Sequence, residues 1–231
     1  MEYTRRSLLA GTAAAGVAGV AGCLGGGNDG GDTNDEADGS GLNLDVDGYS
    51  CDLEEPTATD LDYRPTLGDP DADVVVQVFE DFTCGHCATY KLNEFPVIRE
   101  EYIDTERIRY EHWDVPIPVD ETWAVPVASA ARGVGAREGD EAFATFASTV
   151  YESQGSYDGQ SIAEAAEAAD ADPCAALADA QFSAYEEASM SDKAEGETMG
   201  VPGTPAIFVN GTVVEDGYGA NTIAAAIDEA L

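Results

Sequence analysis

Two cysteines separated by two residues, in the run Cys84-Gly85-His86-Cys87, are the residues best suited to chemistry in this sequence. A thiolate is the nucleophile of thiol–disulfide exchange, and cysteines one helical turn apart can close a small disulfide ring. His86, between them, can donate a hydrogen bond or add positive charge when Cys84 is ionised. The pair therefore predicts a redox site in which Cys84 reacts first and Cys87 resolves the mixed disulfide.

A zinc site is the alternative use of the same two cysteines. Zinc usually takes four ligands, and the sequence offers no second C-x-x-C. The remaining candidate ligands, His112, Cys51 and Cys174, are scattered along the chain. We therefore predict a redox-active Cys84–Cys87 disulfide with no metal and no prosthetic group.

A strand–helix–strand unit is predicted around the pair. The β-branched run at residues 74–79 indicates a buried strand, and the alternating run at 107–113 indicates a second one. Between them, residues 88–102 carry apolar side chains on one helical face, with a kink at Pro96. Cys84 then lies just before a helix, where unpaired backbone N–H groups and the helix dipole favour a thiolate.

Helices and a hairpin make up the rest of the predicted body, residues 61–231. Residues from about 119 to 199 are Ala-rich and helical in pattern, without a strand-like run. Asn210-Gly211 then separates two apolar runs, which is a strong hairpin signal, and residues 222–231 complete a last helix. The body thus reads β-α-β, a helical insertion, then β-β-α.

This order of elements, with two quoted motifs, resembles the DsbA-like family of the thioredoxin superfamily. The motifs are Asp81-Phe82-Thr83-Cys84-Gly85-His86-Cys87 and Gly200-Val201-Pro202-Gly203-Thr204-Pro205, and the resemblance covers about residues 65–231. It implies an α/β, thioredoxin-like fold with an inserted α-helical domain, and protein-disulfide oxidoreductase activity. It also implies a cis Thr204–Pro205 bond against the cysteine pair, with both residues binding substrate backbone.

The sequence departs from the family pattern beneath the cysteine pair. Many relatives carry a buried acid six residues before the first cysteine, where this chain has Val78. Glu80 shares that face of the predicted strand and either partly replaces the acid or is solvated. Gly85-His86 is also the dipeptide of eukaryotic disulfide isomerases, so a reductase or isomerase of the same fold stays open. A metal-handling or binding lipoprotein without turnover is the alternative from another class.

The N-terminal residues are typical of an export signal. Arg5-Arg6 precedes an apolar, Ala/Gly-rich run of about 15 residues, too short for a comfortable membrane span, which resembles a twin-arginine signal. Small residues directly before Cys23 resemble a lipoprotein processing site. We predict a signal over residues 1–22, a lipid on Cys23, and a flexible Gly- and Asp-rich tether over 23–60. An uncleaved anchor, or a signal cut without lipidation, remains the alternative.

Export to the outer face of the cytoplasmic membrane sets the expected partners. Disulfides persist outside the cytoplasm, so the expected substrates are exported proteins with cysteines, and an unidentified redox partner resets the Cys84–Cys87 pair. Cys51 and Cys174 either form a structural disulfide or remain separate thiols, because sequence cannot show that their Cα atoms lie within about 7 Å.

The charge of the chain excludes one class of partner. Acidic residues number 46 against 10 basic ones, for a formal net charge of -36. Such a surface repels nucleic-acid phosphates. Concentrated salt screens the self-repulsion of like charges, so the composition predicts a protein adapted to high salt, as in a halophilic archaeon.

Overall fold

A five-stranded mixed sheet forms the centre of the body. The computed structural model describes residues 42, 44, 46, 48–117, 119–215 and 217–231, so Cys23 and the predicted signal lie outside the described residues. The strand order is β1-β3-β2-β4-β5, with β2 parallel to β3 and antiparallel to β4. The strands are β1 (Thr66–Gly68), β2 (Val75–Glu80), β3 (Arg109–Asp114), β4 (Ala206–Val209) and β5 (Thr212–Val213).

Helices follow β2, fill the connection from β3 to β4, and close the chain. The first stretch is α1 (Gly85–Thr89), a π-helical turn (Tyr90–Glu94), α2 (Phe95–Ile98) and a second π-helical turn (Arg99–Ile103). The insertion contains α3 (Ala124–Glu138), α4 (Asp140–Tyr151), α5 (Gly159–Ala168), α6 (Pro173–Gln181) and α7 (Glu186–Met199), and the last helix is α8 (Ala220–Ala230).

The irregular course after α1 has a cause in the sequence. Pro96 lies in the first turn of α2, where its missing N–H removes no intrahelical bond. The wider π-helical turns on either side of α2 take up the break in the hydrogen-bond ladder. The single kinked helix predicted over residues 88–102 is therefore divided into short pieces.

The β4–β5 hairpin is built on the predicted Asn210-Gly211 turn. Both residues have positive φ, 48° at Asn210 and 76° at Gly211, as a two-residue hairpin turn requires. The side chain of Asn210 also accepts a hydrogen bond from the Val75 N–H at 2.8 Å. The turn is thus tied to the start of β2 and places β4 beside the central strand.

Two large groups of buried side chains divide the interior. One joins the sheet to α2 and α8, through residues such as Val78, Ile98 and Ile227. The other fills the helical insertion and includes Cys84 and Cys87. The cysteine pair consequently lies at the boundary between the sheet and the insertion.

The segment before β1 differs from the flexible tether predicted up to residue 60. Leu44, Val46 and Leu53 pack against the helical core, because the segment has apolar side chains at intervals that its Gly- and Asp-rich composition obscures. Gly159 allows the approach, since a Cβ there would lie 2.8 Å from the Leu44 Cα. Cys51 and Cys174 are joined by a disulfide with Cα atoms 5.4 Å apart. Among the described residues, no helix has the length and apolarity to cross a membrane.

Candidate active site

Cys84 lies at the junction of β2 with α1, as the residue that caps the helix N-terminus. Its backbone is extended, at φ -82° and ψ 118°, and its N–H donates to the Asp81 carbonyl at 3.0 Å. A hydrogen bond from the Cys87 side chain, with further ones from the Thr204 side chain and the Cys87 and His86 N–H groups, lowers the pKa of Cys84 to about 5 against an opposing effect of burial. Cys84 is therefore a thiolate at neutral pH.

Cys87 lies one turn further along α1 and has the opposite acidity. Its side chain is 0% exposed, and its Sγ accepts a weak hydrogen bond from the Asp81 N–H at 3.5 Å. Burial, the hydrogen bond to Cys84 and the charge of Glu80 raise the pKa of Cys87 well above its ordinary value. Both cysteines are free thiols in this structure, one built to ionise and the other to keep its proton.

The Thr204–Pro205 segment follows the helical insertion in the sequence and contacts Cys84 in the structure. The Thr204–Pro205 peptide bond is cis. The Cys84 Sγ lies 3.3 Å from the Thr204 carbonyl oxygen, across 120 residues of sequence. The Thr204 hydroxyl is buried and makes no hydrogen bond of ordinary length and angle, and its effect on the Cys84 sulfur is to help lower the pKa of that thiol. The two quoted motifs are therefore brought together in space.

His86 acts through its backbone more directly than through its ring. The His86 N–H lowers the pKa of Cys84, whereas the imidazole Nδ1 lies 2.9 Å from the Tyr218 hydroxyl at the protein surface. Tyr218 follows the hairpin, in a loop whose sequence gave no sign of a role here. The His86–Tyr218 contact ties the first turn of α1 to the loop that follows the hairpin.

The helical insertion holds the residues that lead into Cys84. Tyr157 donates to the Phe82 carbonyl at 2.6 Å, and Gln154 donates to the Thr83 carbonyl at 2.8 Å. Asp81 is buried, and it accepts hydrogen bonds from the Thr83 N–H and hydroxyl, both at 2.6 Å. These bonds fix the turn between β2 and α1, so the position of the Cys84 sulfur depends on both the sheet and the helical insertion.

Glu80 is buried beneath the pair, which resolves the alternative left open by the sequence. Its Oε2 accepts from the Lys91 ammonium at 2.8 Å and contacts the His112 Nδ1 at 3.0 Å, and all three side chains are at most 3% exposed. Burial opposes ionisation, but Lys91 and His112 hold the pKa of Glu80 below its usual value. The Glu80 Oε1 is buried without a hydrogen-bond partner.

A line of ion pairs continues from His112 into the insertion. The His112 Nε2 lies 2.9 Å from Asp114 Oδ1, and the other oxygen of Asp114 accepts from Arg132 at 2.6 Å. Arg132 also binds Asp192, whose carboxylate then binds Arg64 at 2.7 Å near the surface. The line connects the sheet beneath Cys87 with α3 and α7.

Sequence reasoning missed Lys91 and considered His112 as one of several scattered candidate zinc ligands. Alternation along β3 was the available signal, because it places His112 on the same inward face as Tyr110 and Asp114. Lys91 is one of only two lysines in the chain and follows Cys87 by one helical turn. Across the described part of the chain, no group of three or more His, Cys, Asp or Glu side chains is arranged to hold a metal ion.

Comparisons with known proteins agree with this geometry. A family model described as thioredoxin matches residues 60–229. A Rickettsia bellii protein, provisionally named a protein-disulfide oxidoreductase, is 43% identical over 44 residues. That match spans 19% of this chain and only 17% of the relative.

Three solved structures share the fold. Bacillus subtilis BdbD in its oxidised form aligns with a TM-score of 0.64 at 21% identity, over 72% of this chain and 92% of its own. Chlamydia trachomatis DsbA aligns with a TM-score of 0.63 at 21% identity, over 76% and 94%. Wolbachia pipientis alpha-DsbA1 aligns with a TM-score of 0.61 at 22% identity, over 72% and 89%. The predicted α/β, thioredoxin-like fold with a helical insertion is confirmed.

Proposed function

Because this chain belongs to the thioredoxin family, we propose that it is a DsbA-like protein thiol–disulfide oxidoreductase with Cys84 and Cys87 as its redox pair. The observation that carries the proposal is the geometry of the pair: Cys84 caps the N-terminus of α1, Cys87 is buried one turn further on, and the Thr204 carbonyl lies 3.3 Å from the Cys84 sulfur. These surroundings lower the pKa of Cys84 to about 5 and raise that of Cys87. A stabilised thiolate favours the reduced form and makes the disulfide more oxidising. We therefore favour donation of disulfides to substrate cysteines.

The proposed reaction begins when a substrate thiolate attacks the Cys84 sulfur of the enzyme disulfide. The Cys84–Cys87 bond breaks, and Cys87 receives its electron pair and then a proton, since its thiol form is strongly favoured. A second substrate thiolate attacks the substrate sulfur of the mixed disulfide, and Cys84 leaves as a thiolate. The substrate loses two electrons to the enzyme pair, so a separate oxidising partner must reset it.

Substrate backbone is proposed to bind beside Thr204 and Pro205. The Thr204 carbonyl is 3.3 Å from the Cys84 sulfur, so a substrate cysteine bonded to Cys84 brings its own chain against this segment. An extended substrate chain can pair there by main-chain hydrogen bonds, which are independent of side-chain sequence. Such binding suits an enzyme that acts on many exported proteins.

Location outside the cytoplasm belongs to the same proposal. The twin arginine, the apolar run and Cys23 support export followed by lipidation, and the Cys51–Cys174 disulfide suits an oxidising compartment. We expect wild-type protein in the membrane fraction with a lipid on Cys23. Replacing Cys23 by Ser should release the protein to the medium or leave it unprocessed, whereas Arg5→Lys with Arg6→Lys should keep it inside. Equal location of all three proteins contradicts this part of the proposal.

Exchange assays on the purified body test the activity. Cys84→Ser should abolish thiol–disulfide exchange with a cysteine peptide, and Cys87→Ser should accumulate a mixed disulfide at Cys84 that mass spectrometry detects. A wild-type exchange rate in Cys84→Ser refutes the proposal. If the mixed disulfide accumulates only in Cys84→Ser, Cys87 is the attacking cysteine and Cys84 the resolving one. The reduction potential separates an oxidant from a reductase or isomerase. Stoichiometric metal in protein purified without added metal favours instead a metal-handling lipoprotein.

A further inference from the structure

The helical insertion binds the two backbone carbonyls that immediately precede Cys84. The hydroxyl of Tyr157 donates to the Phe82 carbonyl at 2.6 Å, and the side-chain amide of Gln154 donates to the Thr83 carbonyl at 2.8 Å. Phe82 and Thr83 are both buried, so an unpaired carbonyl at either residue would be costly. Both donors come from the turn between α4 and α5, which belongs to the insertion and not to the sheet.

The Thr83 carbonyl and the Cys84 N–H belong to one peptide group, and that group is held at both edges. Gln154 binds its oxygen, while its N–H donates to the Asp81 carbonyl at 3.0 Å. A peptide group is planar and trans, so bonds on its two opposite edges fix its rotation. That rotation sets the direction in which the Cys84 side chain leaves the backbone, and with it the 3.3 Å approach of the Cys84 sulfur to the Thr204 carbonyl.

The side chain of Asp81 serves the donors of the same turn and not its acceptors. Its carboxylate accepts hydrogen bonds from the Thr83 N–H and hydroxyl, both at 2.6 Å, and from the Ile117 N–H. A carboxylate oxygen that accepts these bonds cannot also satisfy a carbonyl, which needs a donor. The sheet side of the site therefore holds the donors of the turn, and the insertion holds its carbonyls.

The donor turn between α4 and α5 is itself firmly held, as a positioning role requires. Tyr157 directly precedes α5, whose start is fixed by a capping box between Asp158 and Ser161. Gly159, the first residue of α5, lies so close to the segment before β1 that a Cβ there would be 2.8 Å from the Leu44 Cα. The Tyr157 hydroxyl therefore binds the β2–α1 turn from a packed base.

The Gln154 amide stands beside the N-terminus of α1. A carbonyl oxygen only accepts hydrogen bonds, so the amide nitrogen faces Thr83 and the amide oxygen faces the other way. That oxygen would lie 3.8 Å from a Cβ on Gly85, the first residue of α1. Gln154 thus lies next to the helix end at which the Cys84 thiolate is stabilised.

We propose that Tyr157 and Gln154 are positioning residues for Cys84: by holding the two carbonyls before it, they keep its sulfur at the N-terminus of α1 and so set how oxidising the Cys84–Cys87 pair is. This role rests on the proposed function and deepens it, because it assigns the strength of the oxidant to the insertion. The thiolate gains from the helix N–H groups only while its sulfur stays beside them. Loss of either bond frees the turn to rotate, which destabilises the thiolate and with it the reduced form. The disulfide then becomes a weaker oxidant.

Two variants that each remove one donor test this role. Tyr157→Phe deletes only the hydroxyl, and Gln154→Met keeps the length of the side chain without its N–H groups. The pKa of Cys84 is measured by thiolate absorbance, and the redox equilibrium with glutathione is measured at pH 7. Tyr157→Phe should raise the pKa of Cys84 by about one unit and lower the equilibrium constant for glutathione oxidation about tenfold, or about 30 mV. Gln154→Met loses a less buried bond and should change the constant in the same direction by about threefold.

Two matched controls separate positioning from a general loss of stability. Tyr185→Phe removes another insertion hydroxyl, which donates to the Thr59 carbonyl at 3.0 Å, and Gln160→Met removes an amide that donates to Glu164 at the surface. Both controls should leave the pKa of Cys84 within about 0.2 unit and the glutathione equilibrium within about twofold, even where the melting temperature falls. A shift in Tyr185→Phe as large as that in Tyr157→Phe overturns the proposal.

An unmoved pKa of Cys84 in either donor variant also overturns the proposal. Gln154→Met keeps the test decisive if Tyr157→Phe does not fold, because its lost bond is only partly buried. Wild-type protein that forms no mixed disulfide with glutathione is a failure of the proposed function instead. Normal exchange in the wild type, combined with an unmoved pKa in a folded donor variant, is a failure of this inference alone.

Discussion

Titration of the Cys84 thiol gives the most direct test of the active-site geometry. An ordinary cysteine with a pKa of about 8.5 is roughly 3% thiolate at pH 7. With the pKa of Cys84 lowered to about 5, its thiolate fraction at pH 7 is about 99%. Cys87 should stay protonated through the same range, because its pKa is raised. Reduced protein should therefore show the thiolate absorbance of one cysteine, not two, by pH 7.

The size of the shift also determines the favoured direction of exchange. Nucleophilicity falls with thiol pKa by a Brønsted slope of about 0.4–0.5, so a fall from about 8.5 to about 5 costs roughly 40-fold in intrinsic attack. The roughly 30-fold gain in thiolate fraction nearly offsets that loss at pH 7. As a leaving group, however, Cys84 gains without such a penalty. The net effect favours release of an oxidised substrate from the mixed disulfide.

Absorbance at 240 nm between pH 3 and 10 measures the ionisation, with Cys84→Ser as the blank. Thr204→Val removes the buried hydroxyl next to the Cys84 sulfur while keeping the side-chain shape. A hydrogen bond to a charged group contributes roughly 1.5–3 kcal/mol, and partial exposure of Cys84 places the effect at the lower end, so the pKa should rise by about one unit. A wild-type midpoint above 8, or two thiolates by pH 7, refutes the reasoning.

Three further outcomes are expected. The reduction potential of the Cys84–Cys87 pair should fall by about 59 mV per pH unit below pH 5 and about 30 mV above it, because the low pKa of Cys84 removes one proton from the reduced state; a slope that stays near about 59 mV per pH unit from pH 4 through pH 7 contradicts this. Replacing Cys51 and Cys174 by Ala opens a link across 123 residues, which should lower the free energy of unfolding by about 5 kcal/mol and the melting temperature by roughly 10–20 °C; an unchanged melting curve argues against that bond. The melting temperature should also rise between low and multi-molar KCl, because salt screens the net charge of -36; a flat response removes the high-salt interpretation.

Local patterns were sufficient to predict the elements that carry the cysteines. The β-branched run of β2, the alternation of β3 and the Asn210-Gly211 turn each have a short-range physical cause, and the structure follows them closely. The three-residue β1 was not predicted, because its pairing with β3 and not its own pattern defines it. The approach of Thr204 to Cys84 came from a family resemblance, since no local pattern spans 120 residues.

The buried charges could not be derived in the same way. Three different elements contribute Glu80, Lys91 and His112. Each of them, taken alone, is a polar residue of a type that is usually exposed to solvent. Their burial is favourable only because each satisfies another, so it depends on tertiary contacts that the sequence does not display. The packing of Leu44, Val46 and Leu53 was missed for a related reason, because their partner surface includes helices more than 100 residues later in the chain.

The Cys51–Cys174 disulfide determines which part of the body carries tension. A pull between the residues before Cys51 and the C-terminus follows the shortest covalent path, which crosses this bond and skips residues 52–173. The skipped loop contains β1, β2, β3 and both active-site cysteines, so the intact disulfide keeps that part of the chain from being extended. Within the folded body, β2 receives force only through its hydrogen bonds to β4. Thr204, Pro205 and β4 remain on the loaded path. Mechanical strain should therefore reach the substrate-binding side of the site before it disturbs the redox pair itself.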